Sequence, residues 1–313
     1  MRLVFCGTPK FAVPTLEAVL NAGHSVELVL SQPDRPSGRG LNVQTSPVKQ
    51  VARERGLALM QPEKIRENPD LRAKLQDISP DAILVVAYGR LIPPWMLVLP
   101  RHGNLNLHAS LLPKYRGAAP IQWAVANGES ETGVTTMRLD EGLDTGNILL
   151  QAHVPISPDQ TSIELSEVLA AKGADLMVRT LAGLEEGTLR RVPQDQGKAT
   201  LAPILQREDG RVDWNRTASE IYNRWRGFQP WPGAFTFFRE KKVSLHSLRV
   251  AGSDAPPAAA LPGTLAHIGN QLLIACGQGT WIDVLELQME GKRRMSAGAF
   301  LNGVSLTPGE RLE

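Results

Sequence analysis

The chain has 313 residues, with 34 Lys and Arg against 32 Asp and Glu, giving a formal net charge of +2. That balance permits contact with a polyanion without demanding it. With 42% hydrophobic and 21% charged residues, the composition is that of a soluble globular protein, long enough for two domains and for a core that needs neither disulfides nor metal. The two cysteines, Cys6 and Cys276, each sit in an apolar, strand-like run and read as buried thiols in a reducing compartment. No C-x-x-C or H-E-x-x-H spacing occurs, so no metal site is expected. The chain opens directly into RLVFCG without a signal-peptide pattern. Apolar runs such as AILVVA are too short to span a bilayer, and the expectation is a cytoplasmic protein with no membrane partner.

In chain order, Leu3–Cys6 reads as a buried strand, Gly7-Thr8-Pro9 as a turn and Val13–Asn21 as a helix. A strand at Val26–Ser31 follows, then a helix at Pro47–Gly56 whose final glycine can take a left-handed cap. Ala58–Met60 reads as a short strand, Leu71–Gln76 as part of a helix, and Asp81–Ala87 as the most apolar strand of the chain. Continuous Val/Ile/Leu runs between helices predict a parallel sheet covered on both faces, a doubly wound, Rossmann-like α/β domain. After Asn104–His108 come a helix near Pro120–Ala126, strands near Thr135–Leu139 and Ile148–Val154, and a long closing helix at Thr161–Leu184.

The pattern then changes. Domain boundaries are expected at 1–188 for the α/β domain, 189–206 for a linker rich in Thr, Gln, Pro and basic residues, and 207–313 for a smaller domain. In the last, one helix near Ala218–Trp225 precedes short strands at Ala234–Phe238, Val243–Val250, Gly263–Ile268, Gln271–Ala275 and Thr280–Leu287, a spacing that predicts a small β-barrel. Ser253–Pro262, dominated by Ala and Pro, reads as an exposed loop, and Trp214 and Trp231 as core residues.

Alternation in a strand puts Leu105 and Leu107 on one face and Asn106 and His108 together on the other. Two polar groups late in a strand of a parallel sheet fit the usual place of an α/β active site, beyond the carboxyl ends of the strands. DEGLDTG then carries Asp140, Glu141 and Asp144 in a glycine-rich loop. Taken singly, the strand pair also reads as structural and the acidic loop as a solvated turn. The loop lacks the spacing of a calcium site, Ser110 lacks the nucleophile elbow of a Ser–His–Asp hydrolase, and GTPKFA after the first strand lacks the dinucleotide fingerprint.

The run NLNLHASLLPKYRGAAPIQWA with the later GVTTMRLDEGLDTGNIL closely resembles the folate-dependent formyltransferases, three separated elements matching in order. The resemblance implies that Asn106, His108 and Asp144 form the catalytic set, with 10-formyltetrahydrofolate as formyl donor and no metal. It implies a folate site at Val86, Ala87, Tyr88, Gly89, Arg90, Leu91 and Ile92, with backbone groups around Arg90–Ile92 on the pterin, and also at Ser110, Leu111, Leu112, Pro113 and Asp140. Ala109 stands where the family commonly has Gly, a departure that an extended backbone tolerates.

Several branches share this core, and the acceptor must be read elsewhere. PDRPSGRG, within SQPDRPSGRGLNVQTSPVK, resembles the acceptor-stem loop of the methionyl-tRNA formyltransferases, and Arg39 matches its critical second arginine. GRVDW, FQPWPGAF and KRRMSAGAFLNG resemble that branch's second domain, an OB-like barrel that contributes tRNA binding. The resemblance implies initiator Met-tRNA as acceptor and a monomeric enzyme, with Arg35, Arg39, Lys49, Arg239, Lys241, Lys242, Lys292, Arg293 and Arg294 as candidate tRNA contacts. Leu201 and Ile204 replace the Tyr and Lys common in the linker, which therefore receives no role. Formylation of a nucleotide-linked amino sugar or of glycinamide ribonucleotide stays open, as does an RNA-binding protein built on an inactive formyltransferase core; the Arg39 loop and the intact triad are the discriminators.

Overall fold

The computed structural model describes residues 1–37, 42–252, 256 and 260–313. Arg39 and most of the Ser253–Pro262 stretch lie outside the described residues. The chain divides into two compact units, one of residues 1–120, 131–156 and 164–203, the other of residues 121–130, 157–163 and 204–313.

The first unit alternates strand and helix: β1 (Arg2–Gly7), α1 (Val13–Asn21), β2 (Ser25–Leu30), a hairpin of β3 (Arg35–Ser37) and β4 (Asn42–Gln44), α2 (Pro47–Glu54), β5 (Leu59–Met60), α3 (Pro69–Ile78), β6 (Ala82–Val86), the short α4 (Pro94–Leu97) and β7 (Asn104–His108). The chain then forms α5 (Pro120–Ala126), which past Pro120 belongs to the second unit, and the first unit continues with β8 (Glu131–Arg138), β9 (Ile148–Pro155) and, from Glu164 on, α6 (Ser162–Glu185). The sheet order is β5-β2-β1-β6-β7-β8-β9. The strands are parallel from β5 to β7, and β8 and β9 form an antiparallel edge. This is the mostly parallel, Rossmann-like sheet that the apolar runs predict. The winding direction reverses between β1 and β6, whose ends pair Gly7 with Val86, so the switch point of the sheet lies beside the carboxyl end of β6.

Local signals explain the helix boundaries. Ser46 caps α2 by accepting the N–H of Lys49, and Asn68 caps α3 by accepting that of Leu71, each followed by a proline at the first helical position. Gly56, at φ +65°, closes α2, with the Leu57 N–H donating back to the Ala52 carbonyl at 2.8 Å; this is the left-handed cap read from the sequence. α6 approaches the sheet closely at Gly173, where a Cβ would fall 2.5 Å from Leu107 Cδ2. Cys6 and Cys276 are both buried and free. Burial pushes both thiols up, that of Cys276 to about 12, which keeps them neutral and inert at physiological pH.

Residues 189–203, read from composition as linker, are held to the first unit. Val192 and Ile148 exchange two main-chain hydrogen bonds of 2.9 Å, and Arg116 does the same with Thr200 and Ala202, at 2.8 and 2.7 Å. Isolated backbone bridges of this kind leave no periodicity for a sequence to show.

In the second unit, α7 (Ala218–Gly227) starts at a capping box of Thr217 and Glu220. It precedes β10 (Ala234–Phe238), β11 (Lys241–Val250), β12 (Leu265–Ile268), β13 (Gln271–Ala275), β14 (Trp281–Met289), β15 (Met295–Ser296) and α8 (Ala297–Gly303). The antiparallel sheet runs β10-β11-β14-β13-β12, with β15 on β14. Its two outer strands are joined by the segment Glu310–Glu313. Glu313 and Phe237 exchange main-chain hydrogen bonds of 3.0 and 3.3 Å, the Leu265 N–H donates to Glu310 at 2.8 Å, and the Leu312 N–H donates to Gly263 at 2.9 Å. Both edges are thereby paired, as a barrel requires. Leu312 plugs the interior beside Trp214, Phe238 and Ile282. Trp214 is a core residue, as expected, and its indole N–H donates to Thr236 at 3.1 Å. Trp231 is not: it is 54% exposed, because it sits in the turn between α7 and β10, where neither helical nor strand periodicity turns it inward. Among the described residues no helix is long and apolar enough to cross a membrane.

Leu312→Ala removes a buried plug from the barrel. It is expected to lower stability by about 2–5 kcal/mol, measured by urea denaturation followed by near-UV circular dichroism.

Candidate active site

Strand alternation is realised in β7. Leu105 and Leu107 are buried and Asn106 is half-buried. His108 is buried too, but by the turn that follows: its Nε2 lies 2.8 Å from the Tyr115 carbonyl oxygen. A carbonyl only accepts, so Nε2 carries the hydrogen and Nδ1 is left facing Asp144 Oδ2 at 3.6 Å. With one proton the ring presents a lone pair to a carboxylate; with two it makes a charge-assisted contact. The same Asp144 oxygen accepts the Gly117 N–H at 2.8 Å. Asp144 itself is left-handed, with φ 52°, and its carbonyl accepts from Gln194 Nε2 at 2.8 Å. The structure thus brings His108 and Asp144 together, a pairing that no spacing in the sequence could give. Asn106 makes no side-chain hydrogen bond among the described residues, which leaves its amide donors uncommitted at the same strand end.

The turn after β7 is fixed from the antiparallel edge. Thr135 Oγ1 donates to the Ser110 carbonyl at 2.6 Å and accepts the Leu112 N–H at 3.2 Å, while Gln151 Nε2 donates to the Leu112 carbonyl at 2.9 Å. Ser110 is fully buried, with its hydroxyl donated to the Lys114 carbonyl at 2.6 Å. Leu111 and Pro113 are half-buried beside it. Gly117, at φ +122°, has the Ala202 carbonyl oxygen 2.6 Å from where a Cβ would stand, so a side chain there would push apart the Arg116 and 200–202 strands. Asp140 is exposed and caps its own loop, accepting from Thr145 Oγ1 at 2.7 Å and the Gly142 N–H at 3.1 Å.

At the end of β6, Val86 is buried, and Ala87 and Gly89 take positive φ, 46° and 74°. The Tyr88 ring lies in the hydrophobic core with Cys6, Leu30 and Met96, and burial raises its phenol. Of this residue only the main chain faces the turn. Gln32 Nε2 donates to the Tyr88 and Gly89 carbonyls, each at 3.0 Å, and Arg90 Nε donates to Gln32 Oε1 at 3.4 Å. Leu91 is 83% exposed, and Ile92 packs on the core. Among the described residues the main-chain groups of Arg90, Leu91 and Ile92 make no backbone hydrogen bond. They form a short run of open donors and acceptors at the switch point.

The basic residues are placed less uniformly. Lys49 is buried and bonded through Nζ to Asp34, whose carboxyl is held below its usual range by hydrogen bonds from Lys49 and Gln61. This pair clasps the β3–β4 hairpin, and the ammonium is occupied by Asp34 instead of facing solvent. Arg35 is placed by its backbone at the start of β3. Arg239 is paired with Glu310 at 2.6 Å and lies over the Phe238 ring, Lys242 lies 4.1 Å from the centre of the Phe235 ring, and Arg294 is bonded to Glu286. Lys241, Lys292 and Arg293 are exposed. Sequence reading did not single out Arg116, Gln194 or Thr200, which surround the His108–Asp144 pair. Its one available signal was the KYRG run shortly after Asn106 and His108. Among the described residues no group of three or more His, Cys, Asp or Glu is placed to hold a metal ion.

Comparison with known proteins gives this geometry its family. The formyl transferase model matches residues 1–181, and the model of the formyl transferase C-terminal domain matches residues 204–305. A methionyl-tRNA formyltransferase of Acidobacterium capsulatum is 62% identical over 312 residues, covering 100% of this chain and 99% of the relative. One of Koribacter versatilis is 55% identical, covering 100% and 98%. Among solved structures, the N-formyltransferase from Helicobacter canadensis, in complex with folinic acid and dTDP-3-aminofucose, shares the fold with a TM-score of 0.64 at 18% identity, covering 92% of this chain and 98% of that one. HypX from Aquifex aeolicus, in complex with tetrahydrofolic acid, does so with a TM-score of 0.59 at 17% identity, covering 96% and 47%. The chain belongs to the methionyl-tRNA formyltransferase family and is a formyl-transferring enzyme.

Proposed function

We propose that this enzyme moves the formyl group of 10-formyltetrahydrofolate onto the α-amino group of methionine carried by initiator tRNA, with Asn106, His108 and Asp144 as catalytic residues. The observation that carries the reading is the His108–Asp144 pair, 3.6 Å apart, beside the uncommitted amide of Asn106 at the carboxyl end of β7. In this reaction the neutral amine adds to the formyl carbon and the carbonyl oxygen takes up negative charge. The bond from carbon to N10 of the folate then breaks, N10 gains a proton and the amine nitrogen loses one. Asn106 donates an N–H to the developing oxyanion. His108, doubly protonated, supplies positive charge beside it, and the carboxylate of Asp144 balances that charge and fixes the ring. Because Nε2 is engaged by Tyr115, proton delivery by that nitrogen requires this bond to be exchanged for substrate.

Folate is proposed to lie along residues 86–92 and 110–113. The open peptide groups of Arg90–Ile92 match the donor–acceptor edge of a pterin, the turn occupies the switch point where α/β sheets bind ligands, and the Helicobacter and Aquifex structures of the same fold hold folates. The methionyl-tRNA acceptor rests on the full-length likeness to the Acidobacterium and Koribacter enzymes and on the PDRPSGRG loop. A frayed acceptor end offers splayed bases and phosphates for a loop arginine to read.

Three acceptors, Met-tRNA, a nucleotide-linked amino sugar and glycinamide ribonucleotide, compared with 10-formyltetrahydrofolate as donor, are expected to give product with Met-tRNA alone; no formyl-Met-tRNA overturns the proposal. Asn106→Ala is expected to lower kcat by about 10²–10³-fold, the usual cost of one oxyanion donor, with an unchanged thermal melt. Arg39→Ala is expected to raise the KM for Met-tRNA while folate affinity, followed by fluorescence quenching, stays at the wild-type value.

A further inference from the structure

Asp144 and His108 come from different loops, and both are tied to one short stretch of chain. The peptide linking Tyr115 to Arg116 supplies the carbonyl that holds His108 Nε2 at 2.8 Å, and the next peptide supplies the Gly117 N–H that holds Asp144 Oδ2 at 2.8 Å. The Arg116 side chain, 6% exposed, turns away from both. It donates from Nε and Nη2 to Gln194 Oε1, at 3.0 and 2.7 Å, and from Nη1 to Gln196 Oε1 at 2.8 Å. Gln194 is also buried, and its Nε2 donates to the Asp144 and Gly146 carbonyls, each at 2.8 Å. The contacts form a ring: His108, the Tyr115 carbonyl, Arg116, Gln194, the Asp144 main chain, and across 3.6 Å back to His108.

We propose that Gln194 is a positioning residue for formyl transfer, relaying the placement of Arg116 to the left-handed Asp144 and so setting the His108–Asp144 distance; the proposal rests on the catalytic reading of that pair given above. Three physical points carry it. First, Asp144 is a non-glycine residue at φ 52°, a conformation that persists only where surrounding bonds over-determine it; Gln194 supplies one to its carbonyl and another to Gly146, two residues on. Second, a buried guanidinium is ordinarily paired with a carboxylate, yet the side-chain bonds of Arg116 go to two neutral amides. A carboxylate at position 194 would satisfy Arg116 better but would turn an acceptor toward the Asp144 and Gly146 carbonyls. The neutral amide is the side chain that can accept from Arg116 and donate to both carbonyls at once. Third, the segment carrying Gln194 is anchored on the same stretch a second time, by the Tyr115 N–H donating to Thr200 Oγ1 at 2.8 Å and the Arg116 N–H donating to the Thr200 carbonyl at 2.8 Å. The two ends of the ring therefore cannot drift independently.

The test is Gln194→Glu, which keeps the acceptor for Arg116 and removes the donor to Asp144, read beside wild type, His108→Ala and Gln194→Ala. Formyl transfer to Met-tRNA by the wild type and its loss in His108→Ala establish the catalytic reading on their own; if either fails, that reading falls, separately from this one. With it standing, Gln194→Glu and Gln194→Ala are expected to lower kcat tenfold or more while leaving the KM values for folate and Met-tRNA within twofold. They are also expected to shift the alkaline limb of the kcat–pH profile, on which a doubly protonated His108 gives up its proton, and the His108 ring ¹⁵N resonances. A wild-type kcat and pH profile in a folded Gln194→Glu protein overturns the proposal. So does an equal loss in kcat and gain in both KM values, the signature of general disruption. If neither Gln194 variant gives the wild-type thermal melt, Thr200→Val removes the Oγ1 acceptor for Tyr115 at nearly constant volume; an unchanged His108 ¹⁵N spectrum and kcat there overturn it as well.

Discussion

A strand has two faces, and in β7 one of them is claimed by Leu107 pressing into α6 at Gly173, where no space exists even for a Cβ. That contact sets the register of everything downstream. With Leu105 and Leu107 buried, Asn106 and His108 have to project from the opposite face, next to the end of β6 and the switch point of the sheet. A slip of one residue would press the amide and the imidazole against α6 and put two leucines among the polar groups around Tyr115 and Asp144, an exchange that leaves polar groups without partners. The polar strand end is therefore specified by the same burial energy that closes the domain.

A strand end alone does not make the His108–Asp144 pair proposed as catalytic. Neighbouring chain must bring a carboxylate to His108 and hold the ring, and this structure does so with peptide groups. The Tyr115 carbonyl and the Gly117 N–H flank Arg116 and point to His108 and to Asp144 respectively. Peptide dipoles fixed in this way are already oriented before charge develops, so little reorganisation is needed when it does. The sub-structure depends on main-chain geometry at Gly117, whose φ of +122° and contact with the Ala202 carbonyl exclude a side chain. This explains why residues 189–203, whose composition reads as linker, lie in the first unit: Thr200–Ala202 form the wall against which the Arg116 turn is built.

The legibility of the sequence followed physical range. β10 and β13 appear at the residues that alternation assigns them, and α6 within a residue of its expected ends, because periodicity is a local property. The left-handed stop of α2 at Gly56 was legible because a glycine there has a local stereochemical meaning. Trp231 was misread, since aromatic size argues for burial while its position in a turn between two prolines decides otherwise. Alternation placed Asn106 and His108 on one face, but Asp144 lies 36 residues beyond His108 in the chain, and only family likeness joined them. Gln194, farther still, carries no motif. Glutamine is ordinary at surfaces, and its importance here arises from four bonds to groups that are remote in sequence.

Lysine and arginine counts were the weakest guide, for an electrostatic reason. A cation already satisfied by a neighbouring anion contributes little field to a distant phosphate. Lys49 is bonded to Asp34, Arg239 to Glu310 and Arg294 to Glu286, while Lys242 is partly desolvated over Phe235, which lowers its affinity for its own proton. Lys241, Lys292 and Arg293 remain as exposed cations among the described candidates. Against a net charge of +2, that is a modest basis for non-specific adhesion to a polyanion. If the acceptor is a tRNA, as proposed, most of its recognition must then come from something other than summed charge. The hairpin is the proposed means. Its base is tied by the Asp34–Lys49 pair and by the hydrogen bond between the Ser31 and Ser46 hydroxyls at 2.7 Å. Gln61 bonds both Asp34 and the Gln32 carbonyl, and Gln32 bonds the Tyr88–Gly89 turn. The proposed acceptor loop is therefore rooted, through Lys49, Asp34, Gln61 and Gln32, in the turn proposed to hold the donor, and one continuous network underlies both proposed sites instead of two independent surfaces.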